Sequence, residues 1–342
     1  MHIQAHVSLK EDTTFHVPAT ARYLVEIDKQ SDIRALRSDP VLAVLPWHVL
    51  GAGSNVLLTH DIDGVVLRNR YQQIRLVKED ETSVWLSVGG GLNWDTFVRH
   101  TVEQGLWGLE NLAAIPGTVG AAPVQNIGAY GTEVQDAITR VQALHLLTGE
   151  RHEFRNAECE FGYRTSVFKG RLKGQYIIHR VTFRLRKLAH GHPNLMYDSV
   201  RERLVGKDEK QLTPLDIYEA VSAIRAERLP DPKQEGNAGS FFKNPEVDAD
   251  YFHQLQQKWP DIPHHQLVDG SYKIPAAWLI EACGWKGRCL SGTDACVSSR
   301  HALVLINRGQ ATGAQILQLA EAIQTDVNHT FGIHLEPEVI IL

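Results

Sequence analysis

The sequence lacks any apolar run long enough to cross a bilayer. Its longest, Val41–Trp47 and Ile274–Ile280, are seven residues each and each holds a proline, against the ~18 residues a spanning helix needs. It also lacks a basic surplus. The 35 Lys and Arg residues against 40 Asp and Glu leave a formal charge of −5, so no nucleic-acid partner is expected and any anionic ligand must be met by local positive charge. Cysteine is scarce: Cys159, Cys283, Cys289 and Cys296 are the only four. Their spacing fits no zinc pattern, and a chain this long needs no disulfide framework. Four plain buried thiols in a reducing cytoplasm are the expectation. The first ten residues lack the basic stretch and apolar core of a secretory signal. Gly-Lys-Ser/Thr and His-Glu-x-x-His never occur, so neither a Walker loop nor a zinc-protease helix is present, and the 17 scattered histidines predict no metal site.

What is there is ordinary globular composition, with 43% hydrophobic and 22% charged residues, in a chain long enough for two domains or three small ones. Ser31–Ser38 reads as a short capped helix. Strands are expected at Pro46–Leu50, Val56–Leu58, Val65–Leu67 and Val84–Val88, with a turn at Asp61–Gly64. Asn93 caps a helix over Trp94–Gln104 that Gly105 ends. Val141–Leu147 and Tyr176–Arg186 alternate as strands. Thr213-Pro214-Leu215-Asp216 opens a helix with a cap, a first-position proline and an acid at the capping-box position, and Leu229-Pro230 closes it. Leu303–Ile306 is a buried strand, Gly313–Val327 an amphipathic helix, and Leu335–Ile341 a terminal strand. The fold class is α+β, with two strand-rich lobes and a third mixed lobe.

Several stretches carry possible chemistry. Gly51-Ala52-Gly53-Ser54-Asn55-Val56 lies between two strands and suits either a tight turn or a phosphate loop. It is not a Rossmann fingerprint, because Val56 stands where a third glycine belongs and a strand follows. Ile115–Gly131 is rich in small residues, poor in charge, and can lie flat against an extended ligand; with Gly89–Gly91 it points to a dinucleotide bearing an aromatic ring system. Gly162–Lys169 sets Arg164 beside Tyr163 and a hydroxyl pair, as a solvated edge or a carboxylate clamp. In Gly236–Pro245, Ser240 follows Ala-Gly and precedes Phe241 and Phe242, as a turn serine or a presented hydroxyl; no Gly-x-Ser-x-Gly elbow marks it as an acyl nucleophile. Strand alternation puts Glu336 and Glu338 on one face, either as charges guarding an edge or as a partly buried acid.

Taken in order, these five stretches resemble the UDP-N-acetylenolpyruvoylglucosamine reductase family, and the resemblance runs through nearly the whole chain. It implies a two-lobed FAD-binding fold of the vanillyl-alcohol-oxidase type plus a smaller α+β substrate-binding domain. The expected division is residues 1–72 with 332–342 as one lobe, 73–228 as the second, and 229–331 as the substrate domain. The resemblance assigns FAD to Gly51, Ala52, Gly53, Ser54, Asn55 and Val56 and to Pro116, Gly117, Thr118, Gly120, Ala121, Gln125, Gly128, Tyr130 and Gly131. It makes Ser240 the proton donor, Arg164 the guanidinium near flavin and substrate, and Glu338 the carboxyl group that assists it. Tyr163, Tyr197, Arg225, Arg228, Lys243 and Asn244 are the implied substrate contacts, with Tyr197 on a mobile loop of the longer members and Arg228 where relatives commonly have lysine. The implied activity is NADPH-dependent reduction of the enolpyruvyl ether of UDP-N-acetylglucosamine by a cytoplasmic monomer. An FAD-dependent alcohol oxidase or dehydrogenase of the same fold and a non-catalytic nucleotide-binding module are the competing expectations.

Overall fold

The computed structural model describes residues 1–342, which divide into two compact units, each assembled from separate stretches of chain. The first comprises Met1–Val7, Ala21–Ala52 and Ile62–Glu227; the second comprises Ser8–Thr20, Gly53–Asp61 and Arg228–Leu342.

The first unit is built on two sheets. A four-stranded sheet runs His2–Ser8, Thr20–Ile27, Ile62–Asn69 and Trp47–Val49 in spatial order. Thr20–Ile27 and Trp47–Val49 both pair in parallel with Ile62–Asn69. The expected turn at Asp61–Gly64 is instead the start of a strand: Ile62 pairs with Ala21 and Val65 with Tyr23, and the register breaks across Asp63 and Gly64 between them. Helix α1 (Gln30–Ser38) buries Ile33 and Leu36 in a cluster with Val25, Ile27, Val65, Leu67, Leu144 and Ile177.

The larger sheet orders its strands Arg151–Arg155, Ile138–His145, Tyr176–Lys187, Ser83–Gly89 and Ile74–Glu79, with Leu106–Trp107 also pairing to Tyr176–Lys187. Helix α2 (Trp94–Glu103) is capped as expected, Asn93 Oδ1 accepting from the Thr96 N–H, and Gly105 follows at φ +69°. Its buried residues Trp94, Phe97, Val98, Thr101 and Val102 fall at i, i+3, i+4, i+7 and i+8, the spacing of one helical face. That face meets the sheet at Phe183, whose ring lies 4.9 Å from that of Phe97. Helix α3 (Asp198–Arg203) precedes α4 (Pro214–Arg228), and the Thr213–Asp216 capping box is present, Asp216 accepting from the Thr213 N–H at 2.9 Å.

In the second unit, strands Gly236–Ser240, Val304–Asn307 and Ala295–Val297 form an antiparallel sheet in that order. Helix α7 (Gly313–Phe331) packs on it, with α6 (Ala276–Ala282) against α7, and α5 (Ala249–Lys258) lies in the same unit; α7 runs one turn beyond the expected end to Gly332 at φ +65°. The terminal strand is shorter than alternation suggested: only Ile340–Ile341 is regular, pairing in parallel with Val56–Leu57. Two of the four expected thiols are not free. Cys289 and Cys296 face each other across a tight hairpin, closed by Leu290 N–H to Ala295 O and Val297 N–H to Arg288 O, and form a disulfide. Cys159 is buried and its thiol is pushed up to about 12, by burial first and then by Glu158; Cys283 is half-buried. No helix is long and apolar enough to cross a membrane.

Candidate active site

In the first unit Gly51 meets the small-residue stretch singled out as cofactor-binding. A Cβ on Gly51 would lie 3.1 Å from Thr118 Oγ1 and 3.5 Å from Ala121 Cβ, so the two chains abut through short side chains. Leu112–Val119 is laid along residues 92–95 at the start of α2. Trp94 Nε1 donates to Leu112 O, the Ala114 N–H to Asp95 Oδ1, the Trp94 N–H to Gly117 O, and the Val119 N–H to Leu92 O. Backbone of the left-handed type is concentrated here. Of seven non-glycine residues with positive φ, Asn126, Tyr130 and Arg164 lie in the singled-out stretches and Ala114 immediately precedes one. Each such conformation costs about 1–2 kcal/mol, and strain of this kind persists only where neighbours hold it.

For Asn126 the neighbours are plain. Its side chain is fully buried; Nδ2 donates to Glu133 Oε2 at 2.9 Å and Gly162 O at 3.1 Å, while Oδ1 accepts from the Gln135 N–H. It is the middle of three contacts that stitch the Gly162–Ser166 turn to residues 124–128. Ser166 Oγ donates to Val124 O at 2.6 Å, Asn126 to Gly162 O, and Arg164 Nη2 to Gly128 O at 2.6 Å. The sequence offered no sign of Asn126 as a brace, because the contact depends on the shape of a turn 36 residues away.

Arg164 therefore sits half-buried against the small-residue segment, its guanidinium also 5.3 Å from the Tyr163 ring centroid. That is an arginine held by backbone rather than a solvated edge. Tyr197 is half exposed, its ring 5.7 Å from that of Tyr130, and its loop is tethered where Asn111 Nδ2 donates to both Tyr130 O and Asn194 O. Arg225 projects from α4 and is half-buried; its Nε donates to Ala114 O at 3.2 Å, and burial pulls its pKa down. Arg225 thus holds the loop at Ala114. Pro116 is exposed; Thr118, Gly120, Ala121, Gln125 and Gly128 are partly so.

The second unit gathers the remaining site residues. Ser240 ends its strand after a break in register between Asn237 and Ser240, where Gly239 turns at φ +71°. Asn237, itself buried, accepts from the Gly239 N–H and donates to Pro230 O and Glu235 O. Phe241 and Phe242 are fully buried directly behind, worth about 1.5–3 kcal/mol each, so the serine is half exposed on an anchored backbone. Glu338 reaches the same place by pairing rather than by strand alternation. Residues 335–339 are irregular, but Phe242 bridges Pro337, the Glu338 N–H donates to Phe241 O at 2.8 Å, and the Lys243 N–H donates to Glu336 O. Asn55 Nδ2 then donates to Glu338 O at 3.3 Å, and Gly53 O accepts from the Thr14 N–H. Hydrogen bonds thus join Asn55, Glu338 and Phe241, the residue after Ser240. Lys243 pairs with the exposed Glu336 at 2.9 Å, Asn244 Oδ1 accepts from the Ala276 N–H at the start of α6, and Arg228 is exposed.

Comparison with known proteins agrees along the whole chain. Residues 231–342 match the family described as UDP-N-acetylenolpyruvoylglucosamine reductase, C-terminal domain, and residues 21–155 match the FAD binding domain. The UDP-N-acetylenolpyruvoylglucosamine reductase of Burkholderia vietnamiensis (strain G4 / LMG 22486) is 49% identical over 98% of this chain and 95% of its own. That of Burkholderia cenocepacia (strain HI2424) is 48% identical over the same shares. The crystal structure of the reductase from Thermus caldophilus superposes with a TM-score of 0.70 at 25% identity, covering 100% of this chain and 99% of that one.

Proposed function

This chain belongs to the UDP-N-acetylenolpyruvoylglucosamine reductase family, and from that premise we propose that Ser240, Arg164 and Glu338 carry its chemistry. It is an FAD-dependent oxidoreductase that uses NADPH to reduce the enolpyruvyl ether of UDP-N-acetylglucosamine to UDP-N-acetylmuramate for peptidoglycan precursor synthesis. FAD, when bound, supplies the hydride. The residues present fit such a group: short side chains where Gly51 meets Thr118 and Ala121, strained backbone from Ala114 to Tyr130, and little charge between. The Gly51–Val56 stretch and the Pro116–Gly131 stretch would hold it.

Reduction of an enol ether drives electron density into the attached carboxylate. Arg164 neutralises that charge, and Glu338 assists it. Ser240 holds the proton that passes to C2 and so sets the configuration of the lactyl product; a hydroxyl this weakly acidic serves because the enolate it meets is strongly basic. Tyr163, Tyr197, Arg225, Arg228, Lys243 and Asn244 are assigned to the substrate. The protein acts in the cytoplasm as a monomer.

The observation carrying this reading is the three-contact stitching that fixes Arg164 on the small-residue segment. Its test is a comparison of half-reactions. The purified protein should be yellow, and NADPH should bleach it anaerobically in both wild type and Ser240→Ala. Turnover of the enolpyruvyl substrate should fall about 10²–10³-fold in the variant. Wild-type turnover in Ser240→Ala removes the serine from the mechanism. A colourless protein that takes up no FAD removes the flavin.

A further inference from the structure

Ala114 has left-handed backbone, φ +54°, without the side-chain amide that lets Asn126 adopt one readily. Both of its backbone polar groups are gripped. Its N–H donates to Asp95 Oδ1 at 2.6 Å, and its carbonyl accepts from Arg225 Nε at 3.2 Å. The other oxygen of Asp95 accepts from the Tyr218 hydroxyl at 3.0 Å. Asp95 stands in the first turn of α2, yet neither bond serves that helix, whose cap is Asn93. Burial, then the Asp95 carboxylate, push the Tyr218 phenol up to about 12, so it remains a donor.

We infer that Asp95 is a positioning residue for the cofactor: braced by Tyr218, it holds Ala114 in the strained conformation that sets the direction in which Ile115–Gly120 leaves. The inference rests on the assignment of FAD to that segment. Without the carboxylate, Ala114 relaxes toward negative φ and the segment departs along another path. The grip spans three elements distant in sequence, so it preorganises the loop before any ligand arrives.

The test titrates deflavinated protein with FAD, following quenching of flavin fluorescence, alongside thermal melts. Asp95→Ala should weaken FAD about tenfold, a difference of about 1.4 kcal/mol. Asp95→Asn keeps an acceptor for Ala114 and should stay within about threefold of wild type. The decisive variant is Asp95→Ala with Ala114→Gly: glycine adopts positive φ freely, so affinity should return most of the way. Thr118→Val reports on the cofactor assignment by itself. Weakening by Thr118→Val but not by Asp95→Ala overturns the inference. No weakening by either overturns the assignment of FAD to this segment. A double variant as weak as Asp95→Ala alone overturns the backbone route. If Asp95→Ala does not fold, Tyr218→Phe carries the test: it should weaken FAD about two- to threefold, and unchanged affinity there overturns the inference as well.

Discussion

An added Cβ at Gly89, Gly90 or Gly91 would fall inside 3.0 Å of the carbonyl oxygen of Tyr71, Ile178 or Asn69 respectively. Those glycines are required by the chain's own neighbouring strands. Along Gly117–Gly131 the demand is different: Gly117 and Gly131 turn at φ +149° and +79°, and Asn126 and Tyr130 share the left-handed region without being glycine. Both stretches read from composition as ligand loops. The difference is that one run lets backbone approach backbone, whereas the other shapes a surface. Gly120 belongs with the first kind, its Cβ lying 2.9 Å from Gly90 O and 3.0 Å from Ile178 O. Glycine content alone is a poor guide to a site; strained residues that are not glycine are a better one.

Substitutions can break this contrast. Gly90→Ala should have the largest effect, lowering stability by more than about 4 kcal/mol because rigid backbone cannot yield; denaturant melts measure it. Whatever folds should keep normal flavin affinity. Gly128→Ala should invert the pattern. Its Cβ would sit 2.9 Å from Arg164 Nη1 and 3.2 Å from Thr132 O; the guanidinium, a side-chain end, is pushed off its place, so turnover should fall about 10²-fold with a smaller loss of stability than in Gly90→Ala. A mild melt for Gly90→Ala or full activity for Gly128→Ala would dissolve the distinction. Asn126→Gly keeps the backbone conformation and removes three hydrogen bonds, at about 1–3 kcal/mol, with turnover reduced less than in Gly128→Ala.

The smallest effect is one of pH. His179, whose carbonyl accepts from the Gly90 N–H, has its imidazole pushed down to about 4 by burial and then by Arg180 and Arg151. The unfolded chain takes up a proton near 6.5 and the folded chain does not until about 4. Stability from this group is therefore full above 6.5 and declines as pH falls toward 4. Urea melts should show about 1–2 kcal/mol less stability at pH 5 than at pH 7, and His179→Gln should flatten that slope.

Local signals were readable in the sequence and long-range ones were not. Asn93, Gly105 and the Thr213–Asp216 box announced helix ends because capping is decided within four residues. Ile74–Glu79 went unread: every residue after Ile74 is exposed on a sheet edge, so no alternation marks it. The Cys289–Cys296 pairing depended on a hairpin whose register spacing does not reveal. Ser240 and its two phenylalanines were visible as a motif. Glu338 was placed by reasoning about a regular strand that does not form; its position comes from bonding to Phe241, nearly a hundred residues earlier. Asp95 and Asn126 went unmarked, and only contacts with distant backbone give them a role.

The parallel pairing of Val56–Leu57 with Ile340–Ile341, reinforced by Thr59 N–H to Leu342 O, also bears on synthesis. Residues 53–61 emerge early from the ribosome and must wait for a partner 283 residues downstream. At roughly 5–20 residues per second that wait lasts some tens of seconds. A nascent chain stalled before residues 340–342 leaves those residues without their strand, a natural handle for the chaperones and proteases that inspect unfinished proteins.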